Sequence, residues 1–460
     1  MLLEKGRIFD MEKVIVVGAN HAGTHAITTL ADNYGESVHV TTYDRNNNIS
    51  FLGCGMALWI GNVIPNADGL FYATPEGLAA KGVDVYMNHD LIGVDFDNKI
   101  VTVKNLDTDE EKQDSYDKLI IATGSWPILP KLPGINLENV VYAKIFQNAQ
   151  HIIDKLQDKD IKRVAVVGAG YIGVELVEAF KENGREAILI NDQNVLNNYY
   201  DEPFQNMMRD RMAENGIELV LGELVQEIVG NDEGKVTGVI TDKGHKYDVD
   251  MVLMSIGFHA NTGVFKDTAL ELNPNGSIKV NNRQETNIPG VYAIGDCADI
   301  ENNASEARAS VMLATNAVRT GLIAGHNAAG TDIEMLGVQG SNAIHVFGLT
   351  LCSTGMTEEV ARRQGFDVGT VTVNEWLKPE FMPENDKVTL KIVWDKESRR
   401  ILGAQMASDT DITLALHMFS LAIQEQYSID KLALLDLFFL PHFNQPVNFI
   451  TKAGLLALGK

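Results

Sequence analysis

A chain of 460 residues with 45% hydrophobic and 22% charged side chains has the composition of two or three globular domains with substantial cores, which argues against a disordered polypeptide. Its formal net charge of -24 argues against nucleic acid or an anionic membrane as a partner, because both would repel it. Three cysteines, with no Cys-x-x-Cys or Cys-x4-Cys pair among them, exclude a disulfide scaffold, a dithiol exchange site and a zinc ribbon, and suit a reducing, cytoplasmic compartment.

In chain order, residues 1–10 mix charges with a few apolar side chains and lack the apolar core of a signal peptide, so they read as an N-terminal extension. Residues 13–17 are an apolar run ending in Gly18, helical sequence follows to about residue 31, and a second run covers 37–43. That is a strand, helix, strand unit. Residues 116–125 read as a buried strand ending in a turn of small residues. The opening arrangement returns 150 residues later, with a strand over 163–167, a glycine motif at 168–173, a helix to about 183 and a strand over 187–190. Residues 250–257 and 290–296 add two more strands, the latter with Asp296 at its tip. Beyond about residue 330 the signal changes to strands at 387–394 and 401–406 and a helix over 411–424. The longest apolar stretch there, 432–443, is broken by Asp436 and is too short to span a bilayer. The expected fold is α/β, with two Rossmann-like dinucleotide-binding domains and a C-terminal α+β domain.

Two such units imply two dinucleotides. In the second, Gly168, Gly170 and Gly173 stand where the backbone turns tightly, approaches a pyrophosphate and packs a helix on the sheet. The phosphates then rest on the helix N-terminus. The first motif, Gly18-Ala19-Asn20-His21-Ala22-Gly23, has Asn20 at the middle glycine, a residue that tolerates unusual backbone angles. Asp44 ends the next strand, 26 residues after Gly18, and is placed for ribose hydroxyls. After the second unit that place is taken by neutral Asn191, with Asp192 next. Losing one charge-assisted hydrogen bond costs about 1.5 to 3 kcal/mol. NADH is still the expected donor and NADPH a weaker one, since no arginine lies between residues 191 and 201.

Cys54 stands between the two motifs in Ile49-Ser50-Phe51-Leu52-Gly53-Cys54-Gly55, and Cys297 and Cys352 are far away in sequence. A single thiol cannot cycle as a dithiol, so Cys54 either trades electrons with a cofactor or passes through a sulfenic acid. It is the first candidate catalytic residue. His21, in the first glycine loop, is the second. No metal is expected.

With these residues assembled, residues 11–455 resemble the single-cysteine branch of the pyridine nucleotide-disulfide oxidoreductases, and within it the water-forming NADH oxidases. The resemblance is most specific at Val16-Val17-Gly18-Ala19-Asn20-His21-Ala22-Gly23, at Ile294-Gly295-Asp296-Cys297, at Leu313-Ala314-Thr315-Asn316-Ala317-Val318-Arg319 and at Leu440-Pro441-His442-Phe443-Asn444. It implies FAD held by Gly18, Ala19, Asn20, His21 and Ala22, by Asp44, and by Leu91 beside the adenine. Cys54, Ala122, Thr123, Gly124, Ser125, Lys144, Asp296 and Ala314 complete that site. It implies NADH bound by the second glycine motif and Ile172, by Asn191 or Asp192, by Tyr200 beside the adenine and by Gly257. Tyr171 would cover the flavin until nicotinamide displaces it, and Glu175 would line the nicotinamide site. The implied domains are FAD-binding (11–130 and 258–330), NADH-binding (131–257) and a C-terminal dimerisation domain (331–460), in which His442 has a packing role.

The implied reaction is reduction of O2 to water by two NADH through a Cys54 thiolate and sulfenic acid cycle, in a homodimer with O2 or H2O2 as the small-molecule acceptor. The thiolate is the nucleophile, so a low-pKa Cys54 is expected, helped by His21 and by a helix beginning just after it. The alternatives are an NADH peroxidase, a coenzyme A disulfide reductase and a flavin electron carrier. Val318 stands where the peroxidases have arginine, and Gly55-Met56-Ala57-Leu58 where the coenzyme A enzymes have Gly, an apolar residue, Pro and Tyr. Both favour the oxidase. His259 and Ala260 depart from the Arg-Pro of relatives.

Overall fold

Near-continuous apolar strands bounded by glycine and polar turns build two parallel sheets, as strands covered on both faces do. The computed structural model describes residues 11–459, so the extension expected at 1–10 lies outside the described residues. The first sheet orders its strands Val291–Ala293, Lys118–Ile121, Glu12–Val17, Val38–Tyr43 and Asp84–Tyr86, all parallel. The second runs Glu218–Leu221, Glu186–Asn191, Arg163–Val167, Met251–Met254 and Val140–Tyr142, again all parallel. In both, the strand leading into the glycine motif is central, and Val14 to Val16 and Val164 to Val166 are fully buried. The helices His21–Tyr34 and Tyr171–Glu182 follow those strands directly.

Each unit also carries a three-stranded antiparallel meander that the sequence patterns did not suggest. The first is His89–Asp95, Ile100–Asn105 and Glu111–Ser115. The second is Val225–Gly230, Val236–Thr241 and Lys246–Asp248. Both follow the third strand counted from the one that leads into the glycine motif, so the internal repeat is longer than the glycine motifs alone reveal.

The C-terminal part is α+β. Its antiparallel sheet orders Asn342–Val346, Leu349–Gly355, Ile401–Ser408, Lys387–Asp395 and Val368–Trp376. The helices Thr413–Gln424 and Phe449–Ala457 share its core through Leu416, Phe419, Ile450 and Ala453. His442 is exposed on the single chain, as are Phe438, Leu440 and Phe443 around it.

Two features tie the parts together around the future site. The segment bearing Cys54 inserts Phe51, Met56 and Ile60 into the core of the second unit, and that core continues into Ile344, Val346 and Leu351 of the C-terminal sheet. Buried Lys391 of that sheet bridges Asp201 at 2.9 Å and Glu358 at 2.7 Å, while Gln405 donates to Asp201 at 2.7 Å. A buried cation costs much desolvation, and this one is surrounded by the acceptors that offset it.

Candidate active site

The carboxyl ends of both parallel sheets open onto one cavity of about 1730 Å³, lined by both glycine loops, the Cys54 turn, and Ala314 and Asn342 from later in the chain. Ligands of open α/β sheets bind at that end. At each loop the first glycine has positive φ, 95° at Gly18 and 104° at Gly168. A Cβ there would lie 2.3 Å from Ala122 O or 2.5 Å from Ser255 O, so only glycine lets the loop pass the neighbouring strand. Neither following helix has a side-chain N-cap or an acid in its first turn. Their free N–H groups therefore face the cavity, which is what two pyrophosphates require. The residues present fit two dinucleotides.

The strand-end residues are equivalent in the two units. Asp44 Oδ2 accepts from Ala19 N at 2.6 Å, and Asn191 Oδ1 accepts from Ala169 N at 3.2 Å. Burial pushes the Asp44 carboxyl up, opposed by hydrogen bonds from Asn46 and Ala19. Lys144 Nζ donates to Ser125 Oγ at 2.7 Å and lies 3.3 Å from Asp296 Oδ2, to which Ser125 donates at 2.6 Å. These three come from distant parts of the chain and form one charged cluster on the cavity wall.

Cys54 is exposed to the cavity, in the turn Gly53–Gly55 that leads into the short helix Met56–Ile60. The expected low-pKa thiol is not what the protein's own groups make. The cavity walls push the Cys54 thiol up, the Glu175 carboxylate adds to this, and Lys144 only partly opposes them. Burial raises the Glu175 carboxyl to about 7, with Glu178 contributing. His21 lines the same cavity, and burial lowers its pKa despite Asp296. A neutral imidazole brings no positive charge to the thiol, but remains a hydrogen-bonding group on the cavity wall. His21 Nδ1 lies 3.1 Å from Tyr72 Oη, and burial raises Tyr72 to about 12. A protonated phenol can donate to this nitrogen or accept from it, so the contact holds the imidazole in place in either tautomer. Cys297 and Cys352 are both 0% exposed, and burial pushes both thiols up.

Tyr171 lines the cavity and its hydroxyl donates to Asn342 Oδ1. Burial raises its pKa well above the ordinary value. Tyr200, expected beside the adenine, is 1% exposed and packs in the core beneath, while Tyr199 lines the cavity in its place. Adjacent residues cannot both face the cleft here, and the sequence Tyr199-Tyr200 held no signal to choose between them. Ala19 and Gly173 lie behind the loops rather than on the cavity surface; a Cβ on Gly173 would fall 2.0 Å from Gly168 O. The remaining expected residues all line the cavity: Gly18, Asn20, Ala22, Leu91, Ala122, Thr123, Gly124, Gly168, Gly170, Ile172, Asp192, Gly257 and Ala314. His259 does not; its Nδ1 lies 3.1 Å from Ala260 O. Tyr72 and Asn342 were missed because each reaches its partner only through tertiary structure. Among the described residues there is no cluster of metal-ligating side chains, and no helix is long and apolar enough to cross a membrane.

Residues 12–321 match the family model described as pyridine nucleotide-disulphide oxidoreductase, and residues 342–448 match its dimerisation domain. The chain is 52% identical over 458 residues to an NADH oxidase of Streptococcus pyogenes serotype M6, covering 97% of this chain and 99% of that one. It is 46% identical over 448 residues to an NADH oxidase of Lactococcus lactis subsp. cremoris, covering 97% and 100%. Its structure superposes on the water-forming NADH oxidase from Lactobacillus brevis bound to NADH with a TM-score of 0.94, at 36% identity, covering 97% of this chain and 98% of that one.

Proposed function

The chain belongs to the pyridine nucleotide-disulphide oxidoreductase family, and from that premise we propose that it is a FAD-dependent NADH oxidase that reduces O2 to water. The observation that carries this reading is Cys54, a single thiol exposed to the cavity between two glycine loops while the other two cysteines are buried. A dithiol cycle has no second sulfur, whereas a thiol and sulfenic acid cycle needs none.

In this reading residues 11–130 and 258–330 hold FAD and residues 131–257 hold NADH. The loop from Gly18 to Ala22, Asp44, Leu91, the Ala122 to Ser125 turn, Lys144, Asp296 and Ala314 would hold FAD. The Gly168 to Gly173 loop, Asn191, Asp192, Tyr199 and Gly257 would hold NADH, with Tyr171 and Glu175 at the nicotinamide end. FAD, when bound, supplies the hydride acceptor and the relay to O2.

The protein's own contribution is to intercept peroxide. Cys54 Sγ attacks one oxygen of H2O2, an S–O bond forms as the O–O bond breaks, and the thiol proton ends on the departing oxygen as water. His21, held through Nδ1 by Tyr72, offers its other ring nitrogen as the hydrogen-bonding partner of that oxygen. The electron pair of a second NADH, with two protons, reduces the sulfenic acid to thiol and a second water. The sum is two NADH, two protons and one O2 to two NAD+ and two water. The C-terminal domain forms a homodimer, and three free cysteines suit a cytoplasmic location.

The test is NADH consumed per O2 by the FAD-loaded protein, with H2O2 assayed in the same sample. Two successive two-electron steps require a ratio of about two and no peroxide. Cys54→Ser is expected to keep oxidising NADH at a ratio near one while H2O2 accumulates. A variant that still makes only water overturns the role of Cys54. Negligible O2 uptake with H2O2-dependent NADH oxidation in the wild type makes the chain a peroxidase.

A further inference from the structure

The second nucleotide unit reuses the plan of the first at its adenosine end, with one charge moved. In the first unit the Asp44 carboxylate ties the glycine loop, and the Asp44 carbonyl accepts from His89 N at 2.8 Å. In the second, neutral Asn191 ties the loop, and its carbonyl accepts from Gly222 N at 2.8 Å and Glu223 N at 3.2 Å. The carboxylate missing from position 191 is thus found on the adjoining strand end. Glu223 lines the cavity yet is only 8% exposed. Thr241 Oγ1 donates to its Oε2 at 2.6 Å, and His245 Nδ1 lies 3.0 Å from its Oε1. The Thr241 hydroxyl, ahead of His245 and Lys243, holds its carboxyl below the usual range, so it is charged at neutral pH. From Val167 to Val225 the cavity lining carries Glu175, Asp192 and Glu223 and no lysine or arginine.

We propose that Glu223 is the residue that determines donor specificity, supplying the negative charge that Asn191 lacks and rejecting a nucleotide with a phosphate on its adenosine ribose. The proposal rests on the NADH reading above. A ribose phosphate would bring nearly two negative charges toward a carboxylate that cannot turn away, because Thr241 and His245 fix it. Discrimination by placed repulsion needs no new contact to the favoured ligand. Asp192 has the same sign but is exposed, so solvent and salt screen it far more.

The experiment uses the FAD-loaded enzyme as wild type, Glu223→Gln, Glu223→Asp and, as a control for loss of one carboxylate away from the cavity, the exposed Glu227→Gln. It measures kcat/KM for NADH and NADPH, and the dissociation constants of NAD+ and NADP+ by fluorescence titration. Glutamine keeps an oxygen for the Thr241 hydroxyl, so the turn is retained. Glu223→Gln is expected to raise the NADPH to NADH ratio of kcat/KM about tenfold, carried by KM and matched in the binding of NADP+. Glu223→Asp should stay near wild type, and Glu227→Gln within about twofold of it. A Glu223→Gln ratio unchanged from wild type, or an equal effect from Glu227→Gln, overturns the proposal while the NADH reading stands. Failure of wild-type protein to bind either NAD+ or NADH overturns both.

Discussion

Glu175 shows how a single buried side chain couples the site to pH. Burial raises its carboxyl from the usual 4.5 to about 7, so the folded protein favours the protonated acid more than the unfolded chain does. The stability this contributes is fully present below about 4.5 and is lost as pH rises through about 7. Glu175→Gln should remove that slope: in urea titrations, wild-type stability relative to the variant should fall between those two values, and a flat difference would refute the buried-acid description. The same substitution removes one cause of the raised Cys54 thiol, so alkylation of Cys54 should begin at lower pH in the variant. Cys54 could be picked out in sequence because it stands alone between two motifs. Its titration could not, because the groups that set it, the cavity walls, Glu175 and Lys144, converge only on folding.

At the scale of the element, two of the three motif glycines of the second unit do different work. A Cβ on Gly173 would lie 2.0 Å from Gly168 O and 2.9 Å from Ser255 Oγ, whereas one on Gly170 would meet nothing within 4 Å. Gly173→Ala should therefore push the helix Tyr171–Glu182 off the loop and destabilise the fold by about 1 to 3 kcal/mol, as overpacking does. Gly170→Ala should leave thermal stability unchanged and weaken NADH binding, because its methyl group would project into the cavity where the pyrophosphate approaches. Calorimetry and nucleotide titration on both variants check the division, and equal loss of stability in the two would contradict it. Both loops were legible in sequence because a strand, three spaced glycines or their substitutes and a helix form one local signal. The meanders were not. The strand Glu111–Ser115, with the sequence EKQDS, has no apolar alternation to read, and it exists because Ile100–Asn105 offers it an edge.

For the whole molecule, the C-terminal domain presents Phe438 at 69%, Phe443 at 64%, Val447 at 53% and Leu440 at 45% exposure. Monomers rarely expose contiguous apolar surface of this kind, and the segment falls within the match to the family's dimerisation domain. Sedimentation should give twice the 50.5 kDa of the chain, and Phe443→Glu should shift the equilibrium toward monomer. A wild-type mass of one chain at micromolar concentration would refute the dimer. By itself the sequence determined the strand, glycine loop, helix and strand that open both nucleotide units, the α+β character of the last domain and the solitary thiol, because each rests on local periodicity, glycine geometry or simple absence. Tertiary structure alone decided that Tyr199 rather than Tyr200 faces the cavity, that Tyr72 pairs with His21, and that Glu223 stands beside Asn191. Those outcomes depend on which face of a turn is buried and on contacts between residues tens of positions apart, and neither is encoded in a local pattern.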